Sequence, residues 1–172
     1  MGKKWGVNIT YSFENKPLGT AAPIKLIKEL DDNFLVMNGD VLTDIDFAEF
    51  MNYHKTKNSL CTIAMFPKPV KIDLGVLKVD GENKLEDYIE KPTLHYQVSM
   101  GVYAFNKEVL DYLPENEYCD FPDLIKALLN DDESVSGFPF EGNWLDIGRP
   151  EDYDEAIKKF DEKKNLFLKG KS

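Results

Sequence analysis

Two aspartates stand where a carboxylate has a chemical use. The run Phe34-Leu35-Val36-Met37 has the composition of a buried strand and stops at Asn38-Gly39-Asp40. Asp146 lies inside the short apolar segment Trp144-Leu145-Asp146-Ile147, ahead of Gly148-Arg149-Pro150. In an open α/β sheet, ligands gather beyond the carboxyl ends of the strands. Gly39 lets the backbone approach such a ligand closely, and Mg²⁺ is a hard cation commonly held by one or two carboxylates plus substrate phosphates. Each acid also has an ordinary explanation. Asn-Gly-Asp is turn sequence, and on that tripeptide alone the turn is the better reading. Asp146 suits a helix cap or an arginine partner, although an acid in an apolar segment is costly unless paired or metal-bound. A shared metal site would need two such acids, remote in sequence, each ending a strand-like run. Asp44 and Asp46, close behind Asp40, read as loop solvation and helix capping.

Two further segments suit a phosphate-bearing ligand. Tyr88-Ile89-Glu90-Lys91-Pro92 closes a strand-like run with opposite charges. Lys91 can take a phosphate as a point charge, and Glu90 can accept hydroxyl hydrogen bonds; a surface ion pair in a turn is the plain alternative. The segment ENKPLGT, 14–20, carries Gly19 to the start of a helical pattern, where free N–H groups suit an anion or a base edge. Thr20 also fits as that helix's N-cap.

The elements that must position these groups alternate between short strands and helices. Residues 5–11 have strand composition, and 21–30 carry Ile24, Ile27 and Leu30 at helical spacing. The strand 34–37 follows, then a helix opened by Asp46 as N-cap with Phe47, Phe50, Met51 and His54 on one stripe. Residues 60–66 form a buried-strand run. From 75 to 105 the pattern turns to alternation, with a hairpin signal at Val-Asp-Gly-Glu-Asn and a strand over 97–105. Helices fit 121–129 and 150–160, the latter with proline in its first turn. His54 and His95 read as helix-face or surface residues. The whole is one α/β domain with a mixed sheet over 1–162, followed by a basic, frayed tail over 163–172.

Composition bounds the partners. The 172-residue chain carries 31 acidic and 21 basic side chains, a net charge of −10. That disfavours an extended phosphate-backbone contact, so nucleic acid is not an expected partner. No apolar run approaches the ~20 residues of a membrane span and the first residues lack a signal-peptide core, so the expectation is a cytoplasmic protein without membrane contact. Cys61 and Cys119 are too few and too far apart for a metal or redox motif.

The ordered blocks GVNITYSFENKPLGTA, FLVMNGDVL, the glycine of DLGVLKVD, EKP, SMGVYAF and NWLDIGRPEDY span nearly the whole chain. In that order they resemble the central and C-terminal parts of the sugar-phosphate nucleotidyltransferases, the NDP-sugar pyrophosphorylases, closest to the mannose-1-phosphate guanylyltransferase type. The resemblance implies a Rossmann-like nucleotide-diphospho-sugar transferase fold. It implies the reaction NTP + sugar 1-phosphate → NDP-sugar + pyrophosphate, with Mg²⁺ as cofactor and GTP or another NTP as nucleotide. Carried over by position, Asp40 and Asp146 become the metal ligands and, with Lys91, the catalytic set. Glu14, Pro17, Leu18, Gly19, Thr20 and Gly39 line the nucleotide; Gly75, Glu90, Lys91 and Gly101 hold the sugar phosphate, with Lys91 on its phosphate. The chemistry implied is in-line attack of the sugar phosphate oxygen on the α-phosphorus, which asks the protein to position anions and neutralise charge.

There are departures from the family pattern. Ser99-Met100-Gly101 stands where the family shows Asn-Ala-Gly, and nothing in these residues matches the family's opening glycine-rich loop, GGxGTRLxPLT, or the Pro-Lys segment after it. That loop supplies an N–H cradle and an arginine for the triphosphate. The expectation is therefore an N-terminally truncated member, inactive as an isolated chain, whose strands at 5–11 and 34–37 lack their usual neighbours. Exposed strand edges of that kind invite homo-oligomerisation. A regulatory relic that binds sugar or nucleotide without turnover is the alternative. A GT-A glycosyltransferase fits less well, since Asn38-Gly39-Asp40 is not Asp-x-Asp.

Overall fold

A computed structural model describes residues 2–168. In chain order the strands are β1 (Asn33–Met37), β2 (Val41–Thr43), β3 (Cys61–Lys71), β4 (Val76–Val79), β5 (Leu85–Ile89), β6 (Thr93–Asn106), β7 (Val135–Pro139) and β8 (Trp144–Asp146). The α-helices are α1 (Phe47–Lys57), α2 (Phe121–Asn130), α3 (Pro150–Glu162) and the single turn α4 (Lys164–Phe167). Four strands form one sheet in the order β1-β6-β3-β7, while β2 pairs with β8 and β4 with β5 in separate two-stranded ribbons. This is the mixed α/β architecture expected.

The chain divides into two compact units. The first comprises residues 1–37, 46–63 and 103–137, and the second 38–45, 64–102 and 138–172. The core of the first is aromatic. Tyr103 and Phe121 stack at 4.4 Å between ring centroids, and Phe105 lies 5.9 Å from Phe34 and 6.0 Å from Phe121. Leu60, Val109, Leu113, Leu124 and Leu128 close around them. Two helices begin as their sequence dictates: Asp46 accepts the N–H groups of Ala48 and Glu49 at 2.9 and 3.0 Å, and Pro122 sits in the first turn of α2, where its missing donor costs nothing. In the second unit Ala64, Met100, Val102, Phe138 and Ala156 are buried, and the Phe66 and Trp144 rings meet at 5.3 Å.

Several expectations are corrected. Residues 5–11 form no strand: a short 3-10 turn spans Lys3–Trp5 and the chain beyond is irregular, with Val7 50% and Phe13 84% exposed. A strand exists only through a paired neighbouring strand, and among the described residues no strand is laid against this segment. The helical pattern over 21–30 yields only a 3-10 helix, Ala22–Leu26, which ends as Ile27 turns extended. The tail is not frayed throughout, since α4 occupies its beginning; residues 169–172 lie outside the described residues. Of the two readings of His54, helix face or surface, the first holds: it lies on α1 and is buried, with Nδ1 2.8 Å from the Thr62 hydroxyl. β1, as foreseen, is an edge strand, with Leu35 and Met37 exposed. Among the described residues no helix is long and apolar enough to cross a membrane.

Candidate active site

The site residues expected from sequence gather into three groups. The first is built on the β2–β8 ribbon. Its antiparallel register places Val41 opposite Asp146, Leu42 opposite Leu145 and Thr43 opposite Trp144. At one end the Ile147 N–H donates to the Asp40 carbonyl at 2.8 Å. Asp40 and Asp146, 106 positions apart by number, thus sit on adjacent backbones, offset by one residue across the pair. Both are exposed rather than held in an apolar interior. Asp146 Oδ1 accepts the weak bond of the Gly148 N–H at 3.2 Å, and among the described residues neither carboxylate is in a salt bridge.

Gly101 joins the same neighbourhood. Its carbonyl accepts the Asn38 N–H at 2.9 Å, and with φ +71 it lies in the left-handed region. A Cβ there would sit 2.8 Å from Asn38 Nδ2, so glycine is required on both conformational and steric grounds. Trp144 Nε1 donates to the Met100 carbonyl at 3.0 Å, which ties the β8 strand to the chain just before Gly101. The Ser99 hydroxyl accepts the Gly101 N–H at 3.3 Å within β6.

The second group surrounds Tyr88. Gly75 leaves room for that ring, which a Cβ at 75 would strike, and the Tyr88 hydroxyl donates to Glu90 Oε2 at 2.9 Å. The Ile72 N–H donates to the Pro92 carbonyl at 3.0 Å, drawing the chain before Gly75 to the Glu90-Lys91-Pro92 turn. Lys91 holds φ +45, an uncommon conformation for a non-glycine residue. Its ammonium is 3.9 Å from Glu90 Oε1, with both side chains more than half exposed. A pair that open and that long contributes about 0–1 kcal/mol at most, so it leaves the lysine charge available to a phosphate.

The third group, in the first unit, is the loop at 14–20. Glu14 Oε2 accepts the Leu18 N–H at 2.8 Å and closes the turn containing Pro17. The Leu18 carbonyl accepts the Cys119 N–H, and the Cys119 carbonyl accepts the N–H groups of Ala21 and Ala22. Gly19, at φ +84, fits between them; a Cβ would lie 2.6 Å from the Cys119 carbonyl oxygen. Thr20 does not cap the helix that follows it. Its N–H and hydroxyl donate to Asp120 Oδ1 at 2.9 and 3.0 Å, and its Oγ1 accepts the Phe121 N–H at the start of α2. Tyr118 donates to the other Asp120 oxygen at 2.6 Å, and this bond, with that from the Thr20 N–H, holds the Asp120 carboxyl below its ordinary range.

Residues missed in the sequence reading brace each group from within. Asp44, taken for loop solvation, accepts Asn143 N–H on Oδ1 at 2.7 Å and Asn143 Nδ2 on Oδ2 at 2.6 Å. Asp120 and Tyr88 were not singled out either. No short motif marks any of the three, because their partners lie far off in sequence or in a neighbouring turn.

An exposed two-carboxylate set on paired strands is a hard-oxygen donor set, which suits Mg²⁺ completed by water and substrate phosphates. A cage made by protein alone is not what it offers: among the described residues no cluster of three or more His, Cys, Asp or Glu could hold a metal.

The fold is that of the α/β nucleotidyltransferases. A putative glucose-1-phosphate thymidylyltransferase from Bacillus anthracis matches 92% of the chain at a TM-score of 0.67 with 19% identity, covering 67% of that protein, a likeness of fold alone. HddC from Yersinia pseudotuberculosis aligns at a TM-score of 0.60 and 26% identity, over 86% of this chain and 64% of its own. The nucleotidyl transferase family model matches residues 1–163, and the chain belongs to the sugar-phosphate nucleotidyltransferase family. It is 37% identical over 163 residues to the mannose-1-phosphate guanyltransferase of Yarrowia lipolytica, covering 88% of this chain and 43% of that protein. It is 34% identical over 182 residues to the UTP–glucose-1-phosphate uridylyltransferase of Synechocystis, covering 91% and 46%. The chain thus spans less than half the length of the curated relatives it matches.

Proposed function

We propose that this chain supplies the sugar-phosphate and metal-holding part of a sugar-phosphate nucleotidyltransferase, with mannose 1-phosphate and GTP as substrates. The observation that carries the reading is the β2–β8 register, which seats Asp40 beside the strand bearing Asp146. The relatives named as mannose-1-phosphate guanyltransferases favour the substrate pair.

In this reading Asp40 and Asp146 hold Mg²⁺, which when bound neutralises phosphate charge at the reacting centre. Lys91 binds the sugar phosphate and keeps its oxygen turned toward the α-phosphorus. Glu90, oriented by Tyr88, accepts a sugar hydroxyl. Gly75, just before β4, and Gly101, within β6, bring backbone close to the sugar. The loop of Glu14, Pro17, Leu18, Gly19 and Thr20 lines the nucleotide, and in the second unit Gly39 lets the backbone beside Asp40 come close to a ligand. The protein forms no covalent intermediate; it orients two anions for in-line displacement.

Residues 1–172 contain no match to the family's glycine-rich triphosphate loop, so the isolated chain binds ligand without turning it over. The test is Mg²⁺-dependent pyrophosphate release from GTP and mannose 1-phosphate, run beside calorimetric titration of each ligand. Binding without release is the expected result. Release by the chain alone would overturn the inactivity, and failure to bind either ligand would overturn the site.

A further inference from the structure

We infer that Asp44 and Asn143 are positioning residues that set the register of the β2–β8 ribbon and so the juxtaposition of Asp40 and Asp146. The inference rests on the reading of those two aspartates as metal ligands.

The ribbon needs such a device. Each of its strands has only three residues, and an isolated two-stranded ribbon is marginal in water. All three residues of β2 are half-buried, so no sharp alternation of buried and exposed positions pins the pairing. A slip of one residue would turn every side chain of the slipped strand to the opposite face and change which residue stands across from Asp40 and from Asp146.

At the end remote from Asp40 the structure places a clamp. The Asp44 N–H donates to the Asn143 carbonyl at 3.2 Å, and the Asp44 carboxylate accepts both the Asn143 N–H and its side-chain amide at 2.7 and 2.6 Å. Lys163, in the link between α3 and α4, donates to Asn143 Oδ1 at 2.7 Å. That contact fixes which way the amide faces, leaving Nδ2 turned to Asp44. Gly142 completes the fit, since a Cβ there would meet the Phe140 ring and lie 2.5 Å from Asp44 Oδ1. Two chain segments, those of Asp44 and Lys163, thus meet one asparagine, and the Asp44 bonds hold only in the observed pairing at this end of the ribbon.

The bonding pattern makes an exchange of the two side chains a sharp test. Asp44→Asn turns an amide on an amide, and Asn143→Asp turns a carboxylate on a carboxylate. The double variant D44N/N143D restores each bond: Asn at 44 still accepts the backbone N–H, its amide donates to the new carboxylate, and Lys163 gains an ion pair. Two readouts are taken on the full chain, backbone amide exchange across Val41–Thr43 and Trp144–Asp146, and Mn²⁺ titration by electron paramagnetic resonance.

We expect each single variant to raise exchange in the ribbon and to weaken Mn²⁺ binding by about tenfold or more, the scale seen when residues supporting metal ligands are lost. The double variant should return both to near the original values. Singles that leave ribbon exchange unchanged overturn the clamp. Singles that speed exchange yet leave Mn²⁺ affinity intact reduce the pair to a structural role and overturn the positioning. An original chain that binds no Mn²⁺, or keeps its affinity in Asp40→Asn, overturns the metal reading and the positioning of a metal pair with it, while the exchange data still decide what holds the ribbon.

Discussion

The hydroxyl of Thr20 accepts the backbone N–H of Phe121 at 3.1 Å, although the two residues are 101 positions apart. A side chain from the 14–20 loop thus serves as the cap of α2, while Asp120, in the position where a cap normally acts, turns its carboxylate to Thr20 and Tyr118 instead. The loop and the helix start are one hydrogen-bonded unit. Thr20→Val should therefore cost about 1 kcal/mol of stability, the usual loss for a missing cap, and Thr20→Ser should recover most of it. Urea unfolding of the three proteins checks this; equal midpoints would show the cap to be idle.

His54 is 1% exposed, and its Nε2 finds no hydrogen-bond partner among the described residues. Burial, and Lys55 beside it, hold the imidazole below its ordinary range. The unfolded chain takes up this proton near pH ~6.5, whereas the folded chain does so only at lower pH. Between those two values the unfolded state binds more protons, so stability falls as pH drops below about 6.5. Melting temperatures measured at neutral pH and at about pH 5.5 should diverge in the original chain and converge in His54→Gln, the other titrating groups giving the common background.

Gly101→Ala forces a side chain into a left-handed conformation against Asn38. The expected cost is about 1 kcal/mol or more. Because Asn38 leads directly into Gly39-Asp40, the same change should weaken Mn²⁺ binding. A variant that melts earlier but binds the metal equally well would separate Gly101 from the site.

Tyr88→Phe removes the bond to Glu90 and nothing buried. Stability should move by less than about 0.5 kcal/mol, as for other exposed positions. Affinity for mannose 1-phosphate should fall about fivefold, the worth of one orienting hydrogen bond near 1 kcal/mol. Calorimetric titration against the original chain reads the difference.

The edge of β1 presents Leu35 and Met37 to solvent. An open apolar edge is a template for strand pairing, and sedimentation equilibrium should show concentration-dependent association that Leu35→Lys reduces. A monomer at all concentrations would refute it.

The elements that proved legible in the sequence were those whose cause is local. Asp46 and the stripe behind it identify α1, Pro122 and the spacing of Leu124 and Leu128 identify α2, and the turn between Val79 and Leu85 identifies the β4–β5 hairpin. Residues 5–11 have strand composition but belong to no sheet among the described residues, and pairing is a property of two segments, which one segment cannot reveal. The same holds at the site. Asp40 and Asp146 could be picked out as ends of apolar runs, but the cost of a buried acid was the wrong ground for Asp146, which is exposed. Asp44 looks like any loop aspartate until Asn143 is placed against it, and Lys163 like any tail lysine.

The β2–β8 ribbon joins two segments about a hundred residues apart, with Thr43 opposite Trp144. Closing so long a loop is slow compared with forming local turns. While the chain is being synthesised, every neighbour of Asp40 up to β7 can be made and folded before its acidic counterpart has even been translated. A ribosome that stalls short of residue 146 therefore leaves β2 without its partner strand.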